Sequence, residues 1–202
     1  QRMGSTFAHD LVLTLHLSAA VKVKEAYRVS PQINQVHFHD DRVGLGSLRR
    51  QDPQVLILEL LVSNTTPGEH RLLQVDVEGV VPSVGPQPVR ALKAVTVSFD
   101  TTLGKRDPVP PDIVSAMGKL TIYKMQERAM DDVEQGRIEP AVTRLKTMAT
   151  RLLDIGEVEL ARAALLEAGR LSQTGSLSAS GRKKIRYGTR GLTIVPKEVR
   201  YD

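Results

Sequence analysis

One short stretch of the chain, HFHDD at residues 37–41, combines residue types that can bind a metal ion. On a β-strand, side chains two positions apart point to the same face, so His37 and His39 could both reach one zinc or nickel ion. Val36 and Phe38 fall on the opposite face and are apolar, so that face is predicted to point inward. We therefore predict that both histidines face water, and we expect neither a metal site nor a cofactor.

Other catalytic patterns are missing from the sequence. There is no G-x-S-x-G nucleophile elbow and no cysteine. Gly44 and Gly46 begin like a dinucleotide-binding fingerprint, but Arg49 occupies the place of the third glycine and no helical pattern follows. The carboxylates Asp131, Asp132 and Glu134 lie on an amphipathic helical pattern and are predicted to form a solvated face. We expect a protein that is not an enzyme.

The first half of the chain has the residue pattern of an antiparallel sheet protein. Residues 8–29 alternate with period two on both sides of a small-residue turn, which predicts a hairpin of two strands. Residues 54–62 are apolar on both faces, as in the central strand of a covered sheet. In residues 71–77 and 89–99, every second side chain is predicted to point inward, including Val95, Val97 and Phe99. About six such strands with no intervening helix predict an antiparallel β-sandwich.

A proline-rich segment separates the strands from a helical second half. Residues 102–111 contain Gly104 and three prolines, which disfavour both sheet and helix. We therefore predict a β-sandwich domain at residues 1–105 and a helical domain with a basic C-terminal tail at residues 106–202. The predicted fold class is α+β, an antiparallel β-sandwich followed by a helical hairpin or bundle.

Capping residues place three long helices in this second half. We expect Asp112 to cap a helix that runs to Gln135 and ends at Gly136. Residues 139–154 and 157–171 are predicted to form an αα-hairpin around Gly156. The buried stripe of the second of these helices is predicted to contain Leu160, Ala164, Leu165, Ala168 and Leu171.

The last part of the chain is predicted to be a short helix, a turn and a strand. Ser178 is expected to cap a helix through Arg186. Residues 187–190 (YGTR) resemble a turn in which Gly188 takes a positive φ. The turn would return the chain for a short strand formed by Leu192, Ile194 and Val195 that could pair with the sandwich. The YGTR sequence would then connect the two domains.

Positive charge is concentrated in the same region. The net charge is +5, and the candidate partner-binding residues are Arg182, Lys183, Lys184, Arg186 and Arg190. These residues could dock on an acidic protein, or they could only solvate the end of a helix. With 3% aromatic residues, the chain has few stacking platforms for nucleic acid, so nucleic acid is not expected. No apolar run is long enough to cross a membrane, and the lack of cysteine slightly favours the cytoplasm while leaving the compartment open.

Five segments distributed along the chain resemble a known bacterial region. They are YRVSPQINQV at 27–36, LGSLRRQDPQVLILELLV at 45–62, YKMQERAMDDVEQGRIEPAVTRL at 123–145, LLDIGEVELARAALLEA at 152–168 and IRYGTRGL at 185–192. Together they resemble the region that follows the von Willebrand factor A domain in bacterial proteins of the calcium-activated chloride-channel-like group.

This resemblance implies a non-enzymatic interaction and support module whose protein partner is an upstream A domain of the same polypeptide. The metal-dependent adhesion loop of the family, DxSxS, does not occur in this sequence, so that site is expected outside it. The start at Gln1 agrees with a fragment of a longer polypeptide, in which a segment before the A domain would complete the sandwich. The alternative is an independent scaffold that binds a peptide in the groove of its helical hairpin.

Overall fold

The computed structural model describes residues 6–50, 52–63, 66–101 and 108–193. The described residues divide into two compact units, one within residues 6–108 and the other at residues 109–193. The described part of the first unit contains strands, and the described part of the second contains helices. No helix in these described ranges is both long and apolar enough to cross a membrane.

The first unit contains two antiparallel sheets. Its strands are β1 (Thr6–Leu17), β2 (Val21–Ser30), β3 (Asn34–Gln35), β4 (Arg42–Arg49), β5 (Val55–Val62), β6 (Gly68–Val80) and β7 (Pro88–Phe99). One sheet has the order β4-β1-β6-β7 and the other has the order β3-β2-β5. Every pairing between these strands is antiparallel.

Apolar side chains from both sheets meet in one hydrophobic cluster. Its buried members are Leu13, Leu15, Leu45 and Leu73 of the four-stranded sheet. Strand β5 of the other sheet adds Leu56, Leu58 and Leu60. Two-residue alternation places these side chains on one face of each strand, and burial of that face stabilises the pair of sheets. The predicted α+β class, with antiparallel sheets followed by a helical C-terminal region, is confirmed.

The predicted hairpin of residues 8–29 is wrong, because β1 and β2 belong to different sheets. The amide of Ser18 still donates to Leu72 O at 2.9 Å and continues the pairing of β1 with β6. Two residues later, Ala20 O accepts from the amide of Ser63, in line with the pairing of β2 and β5. The chain therefore changes sheets within this short turn. Both strands show the same alternation because each packs one face on the shared core.

Two further strand predictions also need correction. Strand β5, predicted to be central, pairs only with β2 among the described strands and lies at the edge of its sheet. Strand β7 lies at the edge of the other sheet, and its Val95 and Val97 are 37% and 38% exposed. Apolar residues on both faces of a strand thus did not distinguish a central strand from an edge strand.

The second unit is a bundle of four helices, α1 (Pro111–Glu134), α2 (Ile138–Asp154), α3 (Val158–Thr174) and α4 (Ala179–Arg190). Helix α1 packs on α2 and α4, and α3 packs on α2 and α4, so the four helices form a closed ring. The centre holds side chains with no exposed surface, among them Leu145, Met148, Leu152, Ala164 and Leu171. The predicted α2–α3 hairpin is present, and small alanines on α3 allow close approach.

The helix ends agree only partly with the predictions. Gly136 and Gly156 follow α1 and α2 with φ of 72° and 82°, as expected for helix-ending glycines. Asp112 does not cap α1, because the helix begins at Pro111 with Pro110 in the capping position. Proline is well placed at a first helical position, where its missing N–H has no partner to lose. Leu165, predicted to be buried, is 48% exposed, while Ala161 takes a buried position instead.

Replacing Leu145 by Ala should destabilise the helical unit by about 2–5 kcal/mol, because it opens a cavity at a fully buried position. The matched control is Leu153→Ala on the same helix, where the side chain is 49% exposed and the expected change is within about 0.5 kcal/mol. Urea unfolding followed by circular dichroism at the helix band measures both. Equal effects of the two substitutions would contradict the packing described for α2.

Candidate partner-binding surface

The predicted basic residues lie on α4, a helix that is longer than expected. Ser178 caps it as predicted, since its Oγ accepts a hydrogen bond from the amide of Gly181 at 2.9 Å. The helix does not end at Arg186 but runs to Arg190, so the YGTR sequence is helical and the predicted turn is wrong. Leu192 is buried outside any strand, and the other two residues of the predicted strand lie outside the described residues.

Gly188 lies within α4 and does not have a positive φ. Its lack of a side chain instead allows two helices to pack closely. A Cβ at this position would lie 2.5 Å from Leu160 Cδ1 of α3, well inside van der Waals contact. At Gly181, two turns earlier, a Cβ would lie 2.1 Å from the side chain of Glu167 on α3. The two glycines lie seven residues apart and on one face of α4. They let the backbone of α4 approach α3 along this face.

A carboxylate on α3 supports the start of α4. Glu167 is 9% exposed and accepts hydrogen bonds from the amide of Ser178 at 2.7 Å and from its hydroxyl at 2.6 Å. Ser178 Oγ in turn accepts from the first turn of α4, so one chain of hydrogen bonds links the two helices. A negative group near a helix N-terminus is also favoured by the helix dipole.

The inner face of α4 is held to α1 as well. Ile185 and Thr189 have no exposed surface. Thr189 Oγ1 donates to Gln126 Oε1 of α1 at 2.9 Å, and both residues are fully buried. The YGTR sequence therefore connects helices inside the helical unit, where it was predicted to connect the two domains. With its inner face fixed on α1 and α3, α4 can present its basic side chains in one orientation only.

The five predicted partner-binding residues are in different environments. Lys183 and Lys184 are exposed, and the Lys183 ammonium lies 5.8 Å from the ring centre of Tyr187, which is 61% exposed. Arg182 is half-buried, with its guanidinium 3.5 Å from Glu134 on α1. Arg186 and Arg190 are also half-buried. The exposed residues of the predicted basic surface are therefore Lys183 and Lys184, and the exposed Tyr187 lies beside them.

A groove between α3 and α4 borders this surface. It has a volume of about 390 Å³ and is lined by Glu159, Arg162, Ala163, Leu166, Glu167, Ser180, Gly181 and Lys184. Arg162, which sequence analysis missed, contributes a cation from the α3 side opposite Lys184. Helical periodicity places Arg162 on the exposed side of α3, but only the packing of α4 beside it brings the two cations to one groove. By contrast, the facing side chains of α2 and α3 are buried, so the predicted groove between those helices is closed.

The HFHDD stretch is at the surface of the first unit. His37 and His39 are exposed, Val36 is buried and Phe38 packs against the hydrophobic cluster. The strand here is shorter than predicted, since β3 ends at Gln35. Within the described residues, no group of three or more His, Asp and Glu side chains could hold a metal ion.

Asp132 is a buried carboxylate, in contrast to the solvated position predicted for it. It is 2% exposed and accepts a hydrogen bond from Arg144 Nε of α2 at 2.7 Å and another from Arg137 Nε at 2.8 Å. These hydrogen bonds, that from Arg144 first, hold the pKa of Asp132 below its ordinary value. The amphipathic pattern does not reveal this position because the arginines that bury it come from the next turn and the next helix.

A second buried carboxylate lies in the sheet unit. Asp76 on β6 is 6% exposed, and both of its carboxylate oxygens lie 2.8 Å from Arg90 Nε of β7, which donates one bifurcated hydrogen bond. Arg90 Nη2 donates a second hydrogen bond to Asp76 Oδ2. His16 Nε2 of β1 lies 3.6 Å from the same carboxylate. The hydrogen bonds from Arg90 hold the pKa of Asp76 below its ordinary value. Asp76 thus ties together three neighbouring strands of one sheet and is part of the scaffold.

The described chain is therefore an α+β protein whose candidate surface belongs to a helical bundle. Residues 111–194 match the family described as Sll0103-like, C-terminal alpha-helical domain, and this match covers less than half of the chain. The match agrees with the helical C-terminal part of the chain. No curated protein matches the chain.

Two solved structures are similar to the chain. One is a von Willebrand factor type A protein from Catenulispora acidiphila, with a TM-score of 0.67 and 12% identity over 94% of this chain and 47% of that chain. The other is the ArnB paralog VWA2 from Sulfolobus acidocaldarius, with a TM-score of 0.47 and 13% identity over 94% of this chain and 44% of that chain. The first shows a shared fold, and the chain spans about half the length of either structure.

Replacing Gly188 by Ala should destabilise the helical unit by about 1–3 kcal/mol, because the added methyl group would overlap Leu160. The control is Gly169→Ala on α3, where a Cβ meets nothing within 4 Å. Since alanine is the better helix former, this control should be stabilised by up to about 1 kcal/mol. Urea unfolding measures both, and a stabilising Gly188→Ala would contradict the close α3–α4 contact.

The free energy of unfolding should decrease in acid, and protonation of Asp132 should account for part of this decrease. A carboxyl whose pKa is lowered by folding stabilises the folded state above its unfolded pKa, whose ordinary value is 3.8. This stabilisation is lost as the pH falls from that value through the lowered folded pKa. Asp132→Asn should therefore lower the melting temperature near neutral pH and flatten its dependence on pH below about 4.

Asp131→Asn is the matched control, because Asp131 is the exposed neighbour on the same helix. Thermal unfolding between pH 2 and pH 7 measures all three proteins. If the two variants have the same pH profile, the arginine contacts of Asp132 do not contribute to acid sensitivity.

Proposed function

We propose that this chain is a non-enzymatic support and interaction module of a larger bacterial protein with a von Willebrand factor A domain. The observation that carries this proposal is the fold match to the Catenulispora acidiphila protein. That match includes 94% of this chain but 47% of the solved chain, which is a von Willebrand factor type A protein. The match of residues 111–194 to a C-terminal helical domain supports the same position within a longer protein.

The partner that we propose first is the A domain of the same polypeptide. The sequence contains no DxSxS loop, so we place any metal-dependent adhesion site of the whole protein in the A domain. The exposed α4 residues Lys183, Lys184 and Tyr187 offer a surface for a further protein partner. Rigid packing of α4 supports such a role, since a pre-organised surface loses little conformational freedom on binding.

A second candidate function is an independent scaffold that binds a peptide without the A domain. The open groove between α3 and α4 favours this candidate, because a helical pair with an accessible groove can take a peptide segment. The two candidates differ in which part of the chain contacts a partner. They also differ in whether binding depends on the A domain.

Crosslinking of the whole natural polypeptide tests the proposal. The protein is treated with a lysine-reactive crosslinker, and mass spectrometry identifies the linked peptides. Lysines of the sheet unit, Lys22, Lys24 and Lys93, should link to the A domain if this chain supports it. The control is the same polypeptide without its A domain. If the support role is correct, this shortened protein should lose the other protein partners of the whole polypeptide.

Partners that remain after removal of the A domain, with links to Lys183 or Lys184, would favour the independent scaffold. If neither unit of this chain links to the A domain in the whole polypeptide, the support role is wrong. Lys146 on α2 is exposed and lies outside the α3–α4 groove, so its links report non-specific reaction.

A further inference from the structure

A groove in the sheet unit lies beside the hydrophobic cluster that the two sheets share. Its lining comes from the end of β2, from β4 and from the connection between β4 and β5, and it consists of Arg28, Pro31, Leu45, Ser47, Arg49, Asp52 and Gln54. Leu45 is also a buried member of the cluster, so the groove borders the core. Polar side chains thus line most of a groove next to an apolar core.

Arg28 points toward the core side of its sheet. It pairs with Leu56 across β2 and β5, and side chains directly opposite each other on paired strands lie on the same face. Leu56 packs against the cluster, so that face is the inner one. Arg28 is half-buried, and within the described residues its Nε has no hydrogen-bond partner and its guanidinium has no ion pair. Since a buried charged donor without a partner is unfavourable, an acceptor in the groove would stabilise this side chain.

Gln54 presents a fixed acceptor in the same groove. Its Nε2 donates to Leu45 O at 2.9 Å and to Ser47 O at 3.0 Å. Only the NH₂ end of an amide can donate, so these two contacts decide which end is the oxygen. Gln54 Oε1 is buried and accepts from no described residue. A ligand that reaches this oxygen must therefore donate a hydrogen bond.

The charges of the lining have both signs. Arg49 and Asp52 are exposed and belong to one tight turn, in which the Asp52 amide donates to Arg49 O at 3.2 Å. Neither of their side chains is paired within the described part of the chain. With Arg28 and Gln54, the groove offers two guanidinium groups to an anion, and one carboxylate and one amide oxygen to a cation. A ligand with a single charge would leave one of these two sets unmatched.

The groove is also small. Its volume of about 230 Å³ is room for about seven or eight water molecules, at about 30 Å³ each. This volume lies below the range of about 300–1,000 Å³ that is usual for drug-sized ligands. The apolar contacts that it offers are Pro31 and Leu45, which is 8% exposed, and they suit only a short aliphatic group. The size of the groove therefore favours a ligand with few non-hydrogen atoms.

We propose that this groove binds a small α-amino acid in its zwitterionic form. The carboxylate of the ligand accepts hydrogen bonds from Arg28 and Arg49, and its ammonium group donates to Gln54 Oε1 and Asp52. Each charged or unpaired polar group of the lining then has a partner of the opposite kind. This inference goes beyond the proposed partner role, because it assigns a small-molecule ligand to the sheet unit.

Isothermal titration calorimetry of the full chain with glycine, L-alanine, L-serine and L-threonine tests the proposal. At least one of these amino acids should bind near neutral pH. Three analogues of the best ligand then test the need for both charges. They are its amide, which lacks the carboxylate, the matching carboxylic acid without an amino group, and the N-acetyl derivative, which resembles the end of a peptide. Each should bind about tenfold or more weakly, because each loses charge-assisted hydrogen bonds.

Two substitutions separate the two ends of the ligand. Arg28→Lys keeps the positive charge but removes the Nε donor, so it should weaken both the amino acid and the acid without an amino group by about tenfold. Asp52→Asn should weaken the amino acid by several-fold but not the acid without an amino group, which has no ammonium for Asp52 to contact.

The matched controls are Arg42→Lys and Asp40→Asn, at exposed positions that do not line the groove. Neither control should change the affinity for any of the ligands. Circular dichroism verifies that all four variants are folded.

Three results would overturn the proposal. The first is that none of the four amino acids binds. The second is that the acid without an amino group, or the N-acetyl derivative, binds as tightly as the amino acid, which would mean a site for simple anions or for a peptide C-terminus. The third is that Arg42→Lys weakens binding as much as Arg28→Lys, which would place the ligand outside the groove.

Discussion

The close contact between α4 and α3 is the constraint on which the arrangement of the helical unit depends. Two glycines on one face of α4 remove the Cβ atoms that would otherwise overlap Leu160 and Glu167. Glu167 can then accept hydrogen bonds from the residue that caps α4, which satisfies a buried carboxylate and begins the helix. On its other side, α4 is joined to α1 through Thr189 and Gln126. A short helix that would be marginal by itself is thereby held in one orientation.

This orientation determines the candidate surface. The buried positions Ile185 and Thr189 direct Lys183, Lys184 and Tyr187 outward. The same packing places Lys184 across from Arg162, so the groove and its charges arise from contact between two helices. Neither helix forms the groove alone, so its shape depends on the separation of the two helices.

Buried ion pairs have a similar connecting role in both units. Asp132 joins the end of α1 to Arg144 of α2, and Asp76 joins neighbouring strands of the four-stranded sheet. A carboxylate in such a position costs desolvation energy that its arginine partners must offset, so removal of one partner leaves an unfavourable buried charge. Because their pKa values are shifted, Asp76 and Asp132 could be mistaken for catalytic acids. The hydrogen bonds that these carboxylates accept from arginine side chains explain the lowered pKa values by a structural role.

Much of the local structure could be predicted from the sequence because it depends on neighbours in the chain. The strand alternation of Leu11 to Leu17, the helix-ending Gly136 and Gly156, and the capping Ser178 each follow from backbone preferences or from side-chain spacing. The basic composition of α4 was also evident, and two of its five predicted residues, Lys183 and Lys184, are exposed. The α+β class follows from the order of these patterns.

Contacts between distant residues were decided by tertiary structure. The turn after β1 moves the chain to the other sheet, and no local pattern distinguishes this from a hairpin because both arrangements bury the same face. The sequence predicts a turn at Gly188, whereas in the structure the small size of this residue allows α4 to pack closely on α3. Asp132 was assigned to solvent, since its arginine partners could not be recognised from periodicity. Arg162 joins the candidate site for the same reason. Sequence patterns report what one element prefers, while burial and pairing depend on which elements meet.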